Sequence, residues 1–462
     1  MKKDRFKIFF LLILILSCLI TAPVFAADDS EDLPPLPKGP LLLTSTTWEQ
    51  LSADYWVSRL KNPDELLLTP KDLNSFNAQI RKMDKDSVDI FKMDMTMSGV
   101  SLSKLLEAEF NMLRGRKLFG VDNKYFQKSF FDENVKPVAA WQNVPKKVKM
   151  KWGVAVRSAS IRAIPTDVKM LEELGDIEFD QLQFTKIKLW TPVGIYYTSP
   201  DKKWLYLQAP YSRGWAKSSD VAIFNSRDEM KKYVHSDSFL SVTGESVRIF
   251  SNPELTKLRF KASMGTDLPL ASSTQSGRTV WYPERLSNGT VSIQKAYLSK
   301  SADVTPGYLP YTQKNVIKQA FKLLGARYGW GGTYEGRDCS GFIQDVFLSM
   351  GVDMPRNSKP QGFIGTQVDH FEPFNNEAEK MNALDLATPG VTLLRMPMHM
   401  MLYLGQVDGQ YFVIHSTWAE RISMTSDEKN RINQVVVSDL NLNGQSRIGS
   451  LFDRIISVNE MR

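Results

Sequence analysis

The sequence predicts a multidomain fold with an α-helical N-terminal region, two small β-barrels in tandem and a C-terminal α+β domain. The length of 462 residues is too great for one ordinary domain and suggests about three. Hydrophobic residues make up 42% and charged residues 24%, as in globular rather than disordered chains. The pattern of apolar residues changes twice along the chain, from helical periodicity to short strands and then to a mixture of the two.

The helical region is predicted to cover residues 44–149. Thr69 and Pro70 combine a cap residue with a first-turn proline, and Thr46 with Glu49 fits a capping box. Apolar residues then recur at helical spacing, as Leu73, Phe76, Ile80 and Met83. Nothing in this region suggests chemistry, so we expect it to contribute packing alone.

The two barrels are predicted at residues 150–235 and 236–305. Short β-rich runs alternate there with turn signals such as Ser199-Pro200-Asp201. The segment 217–221 recurs almost unchanged at 300–304, which favours two tandem copies of one fold. Aromatic residues in these domains are expected to fill the barrel cores.

The C-terminal domain, residues 306–462, mixes helices and strands. An amphipathic helix is predicted near 315–324, and a second helix follows Cys339 and ends at Gly351. Strands are predicted at 391–394, 399–404 and 411–415, with a turn at Asp408-Gly409 between the last two. The helices and strands together predict an α+β fold.

The N-terminal segment predicts export. Residues 1–26 combine a basic start, an apolar run and a small-residue cleavage site after Ala26, which is typical of a signal peptide. An uncleaved anchor is an alternative, and a partial lipobox at Cys18 would instead give a lipoprotein tethered to the membrane. Residues 27–43 form a Pro-rich tether. We expect a periplasmic or cell-envelope protein that acts as a monomer.

Charge and cysteine content exclude several classes. The formal charge is +7, and removing residues 1–26 leaves 54 basic and 50 acidic side chains, a net +4. Such a balance does not call for a nucleic-acid partner. Cys18 and Cys339 are the only cysteines of the sequence, which excludes a disulfide-stapled fold and a Cys-rich zinc module.

Cys339 is the candidate nucleophile. It lies where a Gly-rich loop turns into a helix, and the free N–H groups and dipole of a helix start favour a thiolate. We therefore expect its pKa to be lowered. The alternative is an inert buried cysteine, but such a residue is more often found within the apolar stripe of a helix than ahead of it.

Histidine supplies the candidate proton shuttle. Among the histidines of the sequence, His235 falls between the barrels and His370 is predicted in a solvated loop, whereas His399 begins a strand and His415 ends the next one. A Cys–His–His set follows, in which His399 moves the proton and His415 fixes its ring. The Cys339 backbone N–H could hold the oxyanion. Zinc ligation by the same three residues is a weaker alternative, because none of them share a short metal-site spacing.

The register of the two histidine strands leaves a condition open. A two-residue turn at Asp408-Gly409 would pair His415 with Leu402 and put the histidines on opposite faces. A three-residue loop, or a bulge, would put both on one face. The predicted triad therefore requires one of these irregularities.

Three motifs together resemble the NlpC/P60 cysteine peptidases: Tyr328-Gly329-Trp330-Gly331-Gly332, Arg337-Asp338-Cys339-Ser340-Gly341 and Pro355-Arg356-Asn357-Ser358, with the two histidine strands after them. The resemblance implies a papain-like α+β domain preceded by a helical stabilising domain and two SH3-like barrels. It also implies cleavage of peptidoglycan stem peptides between γ-D-glutamate and a diamino acid, without a cofactor or metal. The implied catalytic residues are Cys339, His399 and His415.

The resemblance further implies a subsite for a free N-terminal L-alanine, with the first barrel as a roof over the cleft. Its implied residues are Asp338, Ser340, Tyr328, Trp330 and Ser358. A buried ammonium requires a carboxylate, which Asp338 would supply. Simpler roles stay open: Asp338 as a helix cap, Trp330 in packing and Ser358 as a loop cap.

The sequence departs from the family at Met398–Met401, where bulky residues replace small ones. A rival hypothesis is a cell-wall binding protein with a silent catalytic domain.

Overall fold

The computed structural model describes residues 39–274, 277–374 and 376–462. The predicted signal peptide, Cys18 and most of the Pro-rich tether lie outside these residues. Within the described ranges no helix is both long enough and apolar enough to cross a membrane.

The N-terminal region is helical, as predicted. Thr69 caps the second helix by accepting the Asp72 N–H, which confirms the prediction made from Thr69-Pro70. The predicted capping box at Thr46 is wrong, because the Thr46 hydroxyl donates to the Leu43 carbonyl instead. The helices are α1 (Ala53–Val57), α2 (Pro70–Met83), α3 (Gly99–Arg114), α4 (Lys128–Phe130) and α5 (Lys136–Ala139), and the strands β1 (Thr96–Ser98) and β2 (Lys147–Lys149) pair with each other.

The first barrel is an antiparallel sheet whose side chains enclose a core that includes Ile161, Val193 and Leu207. Its strands are β3 (Lys151–Ala155), β4 (Ala159–Arg162), β5 (Gln183–Ile187), β6 (Pro192–Thr198), β7 (Trp204–Ala209), β8 (Ser212–Lys217) and β9 (Val221–Phe224). They lie in the order β5-β4-β8-β7-β6-β3-β9. Helix α6 (Arg227–Val234) leads into the second barrel.

The second barrel repeats this plan with a long, well-paired hairpin at its centre. Its strands are β10 (Phe239–Val242), β11 (Ser246–Phe250), β12 (Leu258–Ser263), β13 (Asp267–Thr274), β14 (Gly277–Arg285), β15 (Val291–Leu298) and β16 (Val304–Pro306). Their order is β12-β11-β15-β14-β13-β10-β16. The described residues thus contain the two tandem β-domains that the sequence predicts.

The C-terminal domain packs helices on both faces of one antiparallel sheet. Its helices are α7 (Gln313–Lys322), α8 (Cys339–Leu348), α9 (Ser358–Gln361), α10 (Glu377–Leu386) and α11 (Leu451–Arg454). Its strands are β17 (Thr366–His370), β18 (Thr392–Met396), β19 (His399–Val407), β20 (Gln410–Arg421), β21 (Lys429–Asp439) and β22 (Ser457–Glu460), in the order β17-β22-β18-β19-β20-β21. His370 is exposed, but it ends a strand rather than lying in the predicted loop.

The two faces of this sheet carry different cores. Helices α7 and α8 pack on one face with α1 and α2 of the N-terminal region, through residues such as Trp56, Ile80 and Phe347. Segments around α10 and α11 cover the other face, through residues such as Leu384 and Leu451. The N-terminal helices therefore extend the core of the domain that holds Cys339, which fits their predicted packing role.

Candidate active site

Cys339 is the first residue of α8. Asp338 caps this helix by accepting the Gly341 N–H at 2.7 Å, so the predicted cap role of Asp338 is confirmed. The Ser416 hydroxyl of β20 donates to the Arg337 carbonyl at 2.7 Å, which fixes the loop just ahead of the cysteine against the sheet. The helix start is therefore held beside the two strands that carry the histidines.

A β-bulge brings both histidines to one face. The turn at Asp408-Gly409 has two residues, as Val407 pairs with Gln410, but the register shifts between Tyr403 and Gly405. Beyond the shift Leu402 pairs with Ile414, which sets His415 level with Met401 rather than Leu402. The irregularity on which the predicted triad depends is thus a bulge at Leu404.

The two rings form a hydrogen-bonded chain. His399 Nε2 lies 2.7 Å from His415 Nδ1, and His415 Nε2 lies 3.1 Å from Ser438 Oγ. If His399 is to accept a proton at Nδ1, its Nε2–H must donate to His415, whose own Nε2–H then donates to Ser438. This arrangement of protons leaves one basic nitrogen on His399 for the nucleophile.

The Cys339 sulfur lies beside the start of β19. It is 3.9 Å from the carbonyl oxygen of Met398, and the residue is 7% exposed. Burial and the Asp338 carboxylate raise the pKa of the thiol to about 12, against the opposing effect of nearby backbone N–H groups. The prediction of a lowered pKa is therefore wrong, because the loss of solvation outweighs the helix start.

Both histidines are neutral for the same reason. Burial, followed by the charge of Arg454, lowers the pKa of His399 to about 3. Burial and the neighbouring ring hold the pKa of His415 well below its usual value. The thiol and the imidazole are thus both neutral, so a nucleophilic reaction of the sulfur would require the thiol proton to leave as the new bond forms.

Asp338 is held by a buried ion pair. Arg356 Nη1 and Nη2 lie 3.0 and 2.6 Å from its two carboxylate oxygens. The Arg356 Nε donates to Thr185 Oγ1 of the first barrel at 2.6 Å, and the Gly331 N–H donates to Asp338 at 2.9 Å. The sequence motif contains Arg356, but no sequence signal identified it as the partner of Asp338.

The first barrel reaches this site through the connection between β4 and β5. Phe179 lies among three aromatic rings of the C-terminal domain, with centroids 5.4 Å from Trp330 and 5.2 Å from Trp418. The third ring belongs to Tyr328, 6.1 Å away. Trp330 also donates from Nε1 to the Asp180 carbonyl at 3.1 Å. Packing against the barrel, which the sequence left open for Trp330, is therefore observed.

Glu178 anchors the same connection. Its carboxylate accepts hydrogen bonds from Trp418 Nε1 at 2.6 Å and Asn433 Nδ2 at 3.0 Å. Arg327 and Arg431 each lie 3.4 Å from it. Sequence reasoning missed Glu178 because its partners come from distant segments of the chain.

The serines of the predicted subsite differ. The Ser340 hydroxyl accepts from Arg356 at 3.0 Å and lies 3.3 Å from Asp338, so it belongs to the buried ion pair. Ser358 begins α9, and its hydroxyl makes no hydrogen bond to the described part of the chain. No group of three or more His, Cys, Asp or Glu side chains in that part is placed to hold a metal ion.

The fold and site define a class: a multidomain α+β protein with a cysteine at a helix start and two histidines whose rings are hydrogen-bonded and meet edge to face. Comparison with known families identifies the domains. Residues 325–441 match the NlpC/P60 family, and residues 171–217 match the SH3 domain family of the SH3b1 type. The chain thus carries an NlpC/P60 domain behind an SH3b1-type domain, as its motifs predicted.

Relatives agree with this assignment. The chain is 33% identical over 138 residues to a γ-D-glutamyl-L-lysine dipeptidyl-peptidase of Bacillus cereus, and 35% identical over 116 residues to a γ-DL-glutamyl hydrolase of Bacillus subtilis. These matches cover 29% and 25% of this chain, and 39% and 26% of the relatives.

One solved structure matches nearly the whole chain. An NlpC/P60 endopeptidase from Photobacterium damselae subsp. piscicida aligns with a TM-score of 0.71, over 93% of this chain and 98% of that one. Its sequence identity is 16%, so the match shows that the fold is shared.

Proposed function

We propose that this protein is an exported cysteine endopeptidase that cleaves peptidoglycan stem peptides between γ-D-glutamate and the diamino acid. The observation that carries the proposal is the hydrogen-bonded chain from His399 through His415 to Ser438, with the Cys339 sulfur 3.9 Å from the carbonyl of Met398, the residue before His399. The match to the NlpC/P60 family and the similarity to a γ-D-glutamyl-L-lysine dipeptidyl-peptidase support this bond, and the similarity to a γ-DL-glutamyl hydrolase supports cleavage at a γ-glutamyl group.

In the proposed reaction, His399 takes the thiol proton while the Cys339 sulfur attacks the γ-carbonyl carbon. The resulting oxyanion is placed near the Cys339 backbone N–H. The C–N bond then breaks, the proton passes from His399 to the leaving amine, and a thioester remains. Water hydrolyses the thioester by the same proton transfers, which regenerates the thiol.

A free N-terminal L-alanine is part of the proposal. Its ammonium would lie near Asp338, and the packing of Phe179 of the first barrel against Trp330 supports the implied position of that barrel above the subsite. Because Asp338 already binds Arg356, the ammonium would share its carboxylate rather than neutralise it alone.

The test is product mass from L-Ala-γ-D-Glu-diaminopimelate and its N-acetylated copy, with Cys339→Ala as the control. We expect cleavage of the first peptide at the γ-glutamyl bond, poor cleavage of the second and no cleavage by the variant. Cleavage of neither peptide under reducing conditions would exclude the proposal. Release of a whole stem peptide from the glycan would instead identify an amidase.

A second candidate is a wall-binding protein without hydrolase activity. The raised pKa of the Cys339 thiol favours it. Sacculus binding with unchanged affinity in Cys339→Ala, combined with slow iodoacetamide labelling at every pH from 6 to 9 and no peptide cleavage, would support this candidate.

A further inference from the structure

Arg454 is a half-buried arginine that the candidate mechanism does not use. It ends α11, and its guanidinium makes no hydrogen bond or ion pair with the described part of the chain. Acidic residues of nearby segments are engaged elsewhere. Asp453 accepts from Ser450 at 2.7 Å, and Asp427 binds Arg421, Arg447 and Lys429. An unpaired, partly desolvated cation is costly to keep unless a ligand pairs with it.

The sheet places Arg454 at the same end as His399. The Ile456 N–H donates to the Arg395 carbonyl at 2.8 Å, and the next residue, Met396, pairs with His399. Adjacent strands lie about 5 Å apart, so Ile456 and His399 are roughly 10 Å apart across β18. Arg454 lies two residues before Ile456, beyond the end of that strand.

The face of the sheet agrees with this placement. Ile455 and Leu451 belong to the same hydrophobic core as Met401, which lies on the same side of β19 as His399. The charge of Arg454 also contributes to the lowered pKa of His399, so the two groups interact. Burial, followed by the Arg421 guanidinium, lowers the pKa of Arg454 itself, as expected where an anion is missing.

We infer that Arg454 binds the side-chain carboxylate of a diaminopimelate residue in the leaving group. This inference rests on the proposed function. His399 must deliver its proton to the leaving amine, so the diamino acid lies on the histidine side of the scissile bond. Diaminopimelate differs from lysine by one carboxylate at the end of its side chain. A guanidinium suits this group because it binds carboxylates through paired, charge-assisted hydrogen bonds.

The test compares three tetrapeptides of the form L-Ala-γ-D-Glu-X-D-Ala. X is meso-diaminopimelate, the same residue amidated at its side-chain carboxylate, or L-lysine. A charge-assisted pair predicts that the full-length protein prefers the free acid about 10- to 100-fold in kcat/KM. Arg454→Gln should remove that preference by lowering kcat/KM for the acid alone, and Arg454→Lys should restore part of it.

The matched control is Arg447→Gln, which removes a more exposed arginine that already has Asp427 as its partner. It should leave the preference unchanged. A uniform loss on all three peptides in Arg454→Gln, or an unchanged preference, would overturn the inference. A fourth peptide, in which D-isoglutamine replaces D-glutamate, tests whether Arg454 binds the D-glutamate carboxylate instead. If the effect of Arg454→Gln depends on that carboxylate, the inference is overturned. If the wild-type protein cleaves none of the peptides, the proposed function fails instead.

Discussion

The two barrels share a strand plan but meet the C-terminal domain in different ways. In the first, β4 and β5 are separated by about twenty residues, and this connection carries Glu178 and Phe179 to the candidate cleft. The second contacts the loop before Cys339 through the Glu245 backbone carbonyl, which accepts from Arg337 at 3.0 Å, and through an ion pair between Lys261 and Glu335. The long β4–β5 connection is therefore the feature that lets the first barrel contribute residues to the site, whereas the second barrel supports the site from outside.

The ion pairs that join each barrel to the C-terminal domain differ in their exposure to solvent. Glu178 and its partner Arg327 have side chains that are 6% and 15% exposed. Lys261 of the second barrel and its partner Glu335 are 44% and 73% exposed. Because solvent screens exposed pairs, we expect disruption at the first barrel to cost much more than disruption at the second.

The largest effect is expected for Arg356→Met. The substitution leaves the Asp338 carboxylate buried without its cation, and breaking a buried pair costs about 3–5 kcal/mol in the free energy of unfolding. Lys261→Met, at the second barrel, should cost less than about 1 kcal/mol. Urea unfolding of both variants measures the difference, and similar losses would contradict the expected contrast between a buried and an exposed ion pair.

Acid should weaken the C-terminal domain before the barrels. Residues 151–224 and 239–306 contain no histidine, whereas His399 and His415 are buried and neutral. Their pKa values are depressed by folding, so the unfolded chain binds protons first, and stability falls as the pH drops below about 6.5. With a folded pKa of about 3, His399 alone should cost about 2 kcal/mol at pH 5.

The measurement is the free energy of urea unfolding at pH 7.5 and pH 5. The variant His399→Gln, His415→Gln should lose much of the difference between the two pH values. An unchanged difference in that variant would place the acid sensitivity elsewhere in the molecule.

Glu178→Gln tests the first-barrel connection directly. The amide keeps the shape of the side chain but leaves Arg327 without an anion, which should cost about 2 kcal/mol and raise KM for peptide substrates. Asp303→Asn is the matched change at the second barrel, since Lys322 and Asp303 are 36% and 50% exposed. It should cost less than about 1 kcal/mol and leave KM unchanged. A rise in KM in both variants would contradict a special role for the first connection.

Local patterns predicted the domain order and the three catalytic candidates, because helix caps, strand periodicity and a cysteine at a helix start depend on neighbouring residues. The bulge at Leu404 could be stated only as a condition, since register depends on how two strands meet. The pKa of Cys339 was mispredicted because desolvation depends on the whole fold. The contacts of Glu178 with Trp418 and of Arg356 with Thr185 join segments more than 140 residues apart, and no local signal reveals them.

The smallest contrast compares two hydroxyl groups, one from each barrel. Thr185 accepts from Arg356 Nε at 2.6 Å and is fully buried, so Thr185→Val leaves a buried donor unpaired and should cost about 1 kcal/mol. Ser263 accepts from Lys188 Nζ at 3.0 Å, but that ammonium also lies 2.6 Å from Asp345. Ser263→Ala should therefore cost less than about 0.5 kcal/mol, because the charge keeps its main partner. Urea unfolding resolves such differences in paired measurements. Because Lys188 belongs to the first barrel, a larger loss for Ser263→Ala would show that the contact between the two barrels depends more on its hydroxyl group than the contact between the first barrel and Arg356 does.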